Sequence, residues 1–351
     1  MHTSSATHPP LRIFTVAAAV SLVALTAVGV LSGLEALFSV LVLAVIEVTF
    51  SFDNAIVNAK VLERMPRVWQ TIFLTVGIAI AVFGMRLLLP IVLVAGTADL
   101  GFGTVVDLAL HHPDRYAQEL ADAHAVIAAF GGTFLMMIFL RFLFEERKLY
   151  WVRRLEKPLA QSPTTWLGPI CLTLVALSAA VLSFASNAEM HRVTLAGLAG
   201  LTIYCTVTWL SERFQKGGAQ QVQHLTKRAR SAHALRTGLF SFIYLELLDA
   251  SFSFDGVVAA FAITKNVLLI AVGLGIGALF VRSLTVYVLR RGVMQHYIYL
   301  EHGAYYAIGT LAVVLLLSIG YEIPSFVTGI AGVSIIGLSI VSSNHAKVRP
   351  A

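Results

Sequence analysis

The sequence predicts an all-α polytopic membrane protein of about ten transmembrane helices, with two inverted three-helix repeats at its heart. Three features point there: composition, the placement of basic residues, and an internal duplication. The 351 residues are 58% hydrophobic and 13% charged, with a mean hydropathy of +0.82, whereas soluble domains carry about 25% charged residues. The lipid bilayer is therefore the expected surroundings. The net charge of +6 comes without a basic patch interleaved with aromatics, which argues against a nucleic-acid partner. Cys171 and Cys205 stand singly in apolar runs and form neither a CxxC nor a zinc pattern, so both are expected to be packing residues.

Crossing the hydrocarbon takes about 20 apolar residues. Ten segments reach or approach that length: 12–32, 36–59, 71–95, 124–144, 167–186, 193–211, 237–263, 267–289, 303–320 and 325–343. The first lacks the short core and A-x-A-like exit of a cleaved leader and is expected to be retained. The two termini and the segments 60–70, 141–166, 212–236 and 290–302 together hold 20 of the 25 Lys and Arg residues. Arg115, Arg192 and Lys265 fall on the other side, and Arg86 and Arg282 lie within spans. That asymmetry predicts a cell-membrane protein with both termini in the cytoplasm. The Asp-rich 96–123 loop then faces outward, and the basic 213–236 segment is expected to be a solvated loop.

The duplication is clearest between Leu37–Ala59 and Leu239–Phe261, which superpose at a shift of 202 positions. Ser51, Phe52 and Asp53 meet identical residues, Ser253, Phe254 and Asp255, and Glu47 meets the acid Asp249. Weaker matches in the same order align Arg86 with Arg282 and His124 with His302. The unit is three helices, and five spans separate equivalent ones, so the two copies should cross in opposite directions. One integral domain, 1–351, then divides into repeat one (36–144), bridging helices with a basic loop (145–236), repeat two (237–320) and a final span (325–343), with spans one and ten flanking.

Five carboxylates fall inside apolar spans: Glu47, Asp53, Glu246, Asp249 and Asp255. Each costs about 2.5–3.5 kcal/mol at the bilayer centre, so five alone would rival the about 5–15 kcal/mol stability of a whole protein. They must face water, be protonated, pair with Arg86 or Arg282, or hold a cation. At about 100° per residue, Glu47, Ser51, Asn54 and Asn58 form one stripe, which Asp249, Ser253 and Gly256 repeat. Asp53 and Asp255 lie off it, so the helices are expected to loosen near them, with Gly256 supporting a break in the second copy. This hard-oxygen donor set suits Mg, Ca or Mn. The competing structural reading makes the acids ion-pair partners of Arg86 and Arg282, which otherwise could snorkel to the interface. Glu246 has no acidic counterpart and could serve as a proton site. For His124 and His302, ordinary hydrogen-bonded interfacial histidines are the favoured reading.

The motifs Glu47–Val57 (EVTFSFDNAIV) and Asp249–Gly256 (DASFSFDG), with Tyr299–Gly303 (YLEHG), resemble the TerC family of integral membrane proteins, within the LysE-like transporter superfamily. Gly256 stands where that family commonly has Ser. The 96–123 and 141–166 segments look closest to a branch known as a domain of unknown function. The resemblance implies tellurium-resistance naming and, in some relatives, manganese export, with Glu47, Asp53, Asn54, Asp249 and Asp255 handling the metal. Ser51, Ser253, Asn58, Glu246, Arg86 and Arg282 are the expected adjunct or proton-coupling groups.

The expected function is thus secondary transport of a divalent cation, Mn²⁺ first and Ca²⁺ or Mg²⁺ next, as substrate and with no resident cofactor. No GxxxxGK[ST] loop is present to supply ATP energy. Export of an amino acid or other small metabolite is the alternative. An intramembrane aspartyl protease on Asp53 and Asp255, or a metal-stress scaffold, stands further off.

Overall fold

The computed structural model describes residues 11–63, 65–98, 100–221, 227–321 and 323–348, with the side chains of 11, 12, 50, 214–221, 227–237, 253–255, 258, 325, 347 and 348 left out. All regular structure among them is helical: α1 (Leu11–Phe50), α2 (Phe52–Glu63), α3 (Arg67–Ala79), a π-helical stretch (Ile80–Leu88), α4 (Leu89–Thr97), α5 (Phe102–His111), α6 (Pro113–Asp122), α7 (His124–Leu143), α8 (Arg153–Ala160), α9 (Leu167–Phe184), α10 (Met190–Gln221), α11 (Lys227–Ala260), α12 (Val267–Arg291), α13 (Val293–His296), α14 (Leu300–Leu317) and α15 (Ser325–Val348). Local chemistry sets several of the ends. The Asn266 side chain accepts hydrogen bonds from the N–H groups of Leu268 and Leu269 at 3.0 and 3.3 Å and so caps α12. Gly292 closes the same helix in the left-handed conformation, φ 60° and ψ 33°.

Among the described residues, eight helical stretches are long and apolar enough to cross a membrane. Ten spans were expected. The expected 237–263 span is the latter part of α11 and stands outside those eight, while 12–32 and most of 36–59 run together in Ile13–Thr49. That stretch is not straight. Gly33 has φ 86° and ψ 179°, a region open essentially to glycine alone. A Cβ at Gly29 would lie 3.5 Å from Leu37, whereas eight residues of continuous helix span about 12 Å. The chain therefore doubles back. On the first arm Phe14 faces Phe280 and Tyr287, at 6.5 and 6.4 Å between ring centroids. On the second arm Leu43 meets Gly273 and Glu47 meets Gly277.

The remaining contacts give the bundle its directions. The second arm of α1 runs parallel to α12, since Leu43 and Glu47 meet Gly273 and Gly277 in step. In the same way α3 runs parallel to α11: Trp69 abuts Gly238, Phe73 abuts Phe242, and Gly77 abuts Glu246. α3 with its π-helical continuation runs antiparallel to α12, because Val82 touches Gly275 while Gly77 touches Arg282. α7 and α14 are antiparallel neighbours, Gly132 against Leu316 and Phe142 against His302. The largest apolar core lies here, around α7 and α14.

Several local expectations change. The first acid-bearing helix does loosen where expected, at Ser51 between α1 and α2, although Ser51 N–H to Glu47 O (3.0 Å) and Ala55 N–H to Ser51 O (3.2 Å) bridge the join. The second copy stays helical through Gly256, so the break expected there is absent. Helix hydrogen bonding tolerates a glycine, so Gly256 permits a break without compelling one. The 96–123 loop, expected to face outward, contains α5 and α6, and the backbone of the basic 213–236 segment is helical on both sides of the undescribed 222–226. α8 is held down by buried Glu156, which accepts from the N–H groups of Trp151 (3.0 Å) and Val152 (3.1 Å) and from Tyr306 Oη (3.1 Å). His302, buried, donates through Nε2 to Leu149 O at 3.1 Å or pairs with Glu156 at 3.4 Å. This matches the hydrogen-bonded histidine expected there.

Gly33→Val should cost about 1–3 kcal/mol through backbone strain and lower the Tm of detergent-purified protein. Gly96→Val, where a Cβ meets nothing within 4 Å, should leave Tm unchanged. Burial alone would raise the Glu156 carboxyl, but hydrogen bonds from His302 and the Val152 and Trp151 N–H groups outweigh it and hold its pKa below the ordinary value. A depressed carboxylate stabilises the fold above its unfolded pKa and loses that contribution as pH falls through the folded one. The Tm deficit of Glu156→Gln should accordingly be largest near neutrality and shrink below the ordinary Glu value of about 4.3.

Candidate functional site

Glu47 on α1, Asp53 and Asn54 on α2, Arg86 in the π-helical stretch, Glu246 and Asp249 on α11 and Arg282 on α12 converge within the bundle. Their exposures run from 2 to 7%. Both arginines are enclosed rather than snorkelled. Arg86 Nη2 binds Glu47 Oε1, and its Nη1 donates to Ala81 O at 2.6 Å. Arg282 Nη2 lies 3.2 Å from Asp249 Oδ2 and 3.6 Å from Glu246 Oε1. The Arg282 guanidinium also stacks 3.6 Å over the Phe73 ring, a contact that desolvation strengthens. The two ion pairs are alike: in each copy the first acid binds that copy's arginine, as the structural reading of the acids expected.

The second arm of α1 can bring Glu47 here because α12 offers glycines. A Cβ at Gly277 would lie 2.4 Å from Glu47 Cβ and 3.0 Å from Ala44 O. Small residues allow such backbone approach in membranes. At Gly256 a Cβ would sit 3.2 Å from Glu47 Oε2, which gives a steric reason for glycine at that position.

The Glu47–Ser51–Asn54–Asn58 stripe divides in the structure. Ser51 donates to Glu47 Oε1 at 2.9 Å, but Asn54 turns to the other copy and donates through Nδ2 to Asp249 Oδ1 at 2.6 Å. Asp53, which the expected loosening was to bring round to the stripe's side, joins Glu47 and Ser51 in lining a cavity of about 50 Å³ that Gly256, Thr328 and Gly332 help to enclose. Asp53 Oδ1 accepts from the Asn54 N–H at 2.9 Å. Among the described residues no cationic side chain pairs with it. Glu246 reaches Arg282 alone, and neither of its oxygens has a hydrogen-bond partner among the described residues.

Of the expected site residues, Glu47 and Asp53 share the cavity, while Asn54 and Asp249 form a crossing pair beside it. The Asp255 and Ser253 side chains lie outside the described residues, although their backbone neighbours Phe252 and Gly256 line the cavity. Asn58 is fully enclosed and away from the cavity. Among the described residues no three His, Cys, Asp or Glu side chains gather as a ready metal-ligand set. Sequence reasoning missed α15, expected only to flank. Its Thr328, Gly329 and Gly332 line the cavity, and their small size near a helix start was the available signal.

Arg282→Met should leave Asp249 and Glu246 buried without a cation, destabilising the protein by about 3–5 kcal/mol. Adding Asp249→Asn should recover part of that loss, measured as Tm in detergent. Equal loss in the single and double variants would contradict the pairing.

No curated protein and no solved structure matched this sequence. A family model described as "Protein of unknown function (DUF475)" matches residues 52–349, which takes in α2 and every later site element. The chain belongs to the DUF475 family.

Proposed function

We propose that this protein is a secondary transporter that moves a divalent cation between two inverted repeats in the cell membrane, with both termini cytoplasmic. The observation that carries the reading is Asp53: a buried carboxylate lining a cavity beside Glu47, with no cationic partner among the described residues. A lone charge of that kind is costly in lipid and marks an ion path by default. Four described acids, Glu47, Asp53, Glu246 and Asp249, face two arginines in this cluster. The antiparallel run of α3 against α12, and the matching α1–α12 and α3–α11 pairings, support the inverted-repeat reading. Oxygen donors favour Mn²⁺, Ca²⁺ or Mg²⁺, and the TerC-like motifs favour Mn²⁺ among them. Protonation of Asp53 or Glu246 supplies a route for release.

Purified protein in liposomes should carry Mn²⁺ down a gradient, and Asp53→Asn should lower the flux by about tenfold or more while the protein still elutes as a folded species. Wild-type vesicles that move no divalent cation, or an Asp53→Asn variant of full activity, would overturn the reading.

A further inference from the structure

The cavity beside Asp53 has a direction. Lys60 and Glu301 pair at 2.9 Å, which joins the basic 60–70 and 290–302 segments at one end of the bundle. α14 leaves that end and α15 returns to it, since Gly303 abuts Ser339 and Gly332 faces Ala307. Passing from Ala307 to Leu311 on α14, or back from Gly332 to Thr328 on α15, therefore leads away from the basic end. All four residues line the cavity. Asp53 Oδ2 stands level with Gly332, 3.8 Å from where its Cβ would be. Thr328 is about 6 Å further along α15. It lies one turn inside Ser325, the first residue of that helix.

Both acids leave an oxygen open toward this passage. Asp53 Oδ1 accepts from the Asn54 N–H, whereas its Oδ2 faces Gly332. Glu47 Oε1 takes Ser51 and Arg86, whereas its Oε2 faces Gly256, 3.2 Å from a Cβ there. Among the described residues neither of the open oxygens accepts a hydrogen bond. The two residues are only 7 and 4% exposed, and buried polar atoms are nearly always satisfied, so water or an ion is the expected partner. Glycine opposite each oxygen leaves space where a side chain would otherwise stand. Thr328 brings a third oxygen from a different helix. Thr49, on the same cavity, turns its hydroxyl back to Val45 O at 2.7 Å. Half-buried Thr328 makes no such bond among the described residues, which leaves its hydroxyl to the cavity. Two carboxylates and a hydroxyl form a hard-oxygen set.

We infer that a divalent cation reaches Asp53 from the end opposite the basic segments, that the Thr328 hydroxyl is the ligand receiving it there, and that Gly332 keeps the passage open. The inference rests on the transport reading above and adds a route and a ligand to it. In full-length protein carrying Cys171→Ser and Cys205→Ser, Thr328→Cys should react with a membrane-impermeant methanethiosulfonate cation added outside intact cells. Millimolar Mn²⁺ should slow that reaction about tenfold. The rate at Val327→Cys, next along the chain but outside the cavity lining, should not respond to Mn²⁺. In liposomes Thr328→Val should lose about tenfold in Mn²⁺ flux, and Thr328→Ser should keep it. Gly332→Val should stop the flux. Gly332→Ala, whose Cβ makes only ordinary contacts, should lower it with Tm held. Gly337→Val, where a Cβ meets nothing within 4 Å, should leave it intact. Thr328→Cys labelling that Mn²⁺ leaves unchanged, that slows equally at Val327→Cys, or that proceeds only from the cytoplasmic side would overturn the route. Full flux in both Thr328→Val and Gly332→Val would do the same and leave transport standing. Mn²⁺-protected labelling in a protein whose wild type carries no Mn²⁺ would instead uphold the Thr328 ligand and overturn the transport reading.

Discussion

Two guanidinium groups held among apolar helices allow the rest of the interior to be polar. Arg86 and Arg282 are each tied to an acid of their own copy and to a backbone carbonyl, Ala81 O and Gly77 O. A buried ion pair contributes little net stability against an apolar replacement, yet removing one partner is severe. Such pairs therefore act as registration points. They fix where α1 meets the π-helical stretch and where α11 meets α12, and so where the remaining carboxylates stand.

Division of labour among similar side chains follows. Glu47 and Asp249 are equivalent in sequence, but Glu47 lines the cavity through Ser51 and Gly256 while Asp249 is closed off by Asn54. The copies are equal in pattern and unequal in their access to the cavity. A site built this way presents one carboxylate, Asp53, with no cationic side chain paired to it among the described residues, next to a second, Glu47, already paired with Arg86.

Much of the scaffold was legible because lipid leaves a strong mark on sequence. The positions of the spans, the repeated Ser-Phe-Asp, and the candidacy of Glu47, Asp53, Asp249, Arg86 and Arg282 all follow from apolar runs interrupted by rare charges. What escaped was pairing across distance. Nothing local says that Asn54 reaches Asp249, 195 residues away, or that Thr328 and Gly332 close the cavity. Of the two loosened points expected, only the one at Ser51 is seen, while Gly256 looks like a weak point yet stays helical. Around Ser51, α1 packs on α12 at Gly273 and Gly277, and the Asn54 amide of α2 binds Asp249 of α11.

The reversal at Gly33 carries a consequence for biogenesis. Both arms of the amino-terminal hairpin rest on α12, whose residues leave the ribosome more than two hundred positions later. Contacts so distant along the chain are slow to form, and domains elsewhere tend to assemble in order of synthesis. The first hairpin must therefore wait for its packing surface until the second half of the molecule arrives, while Glu47 can already be sheltered by Arg86, 39 residues further along the chain.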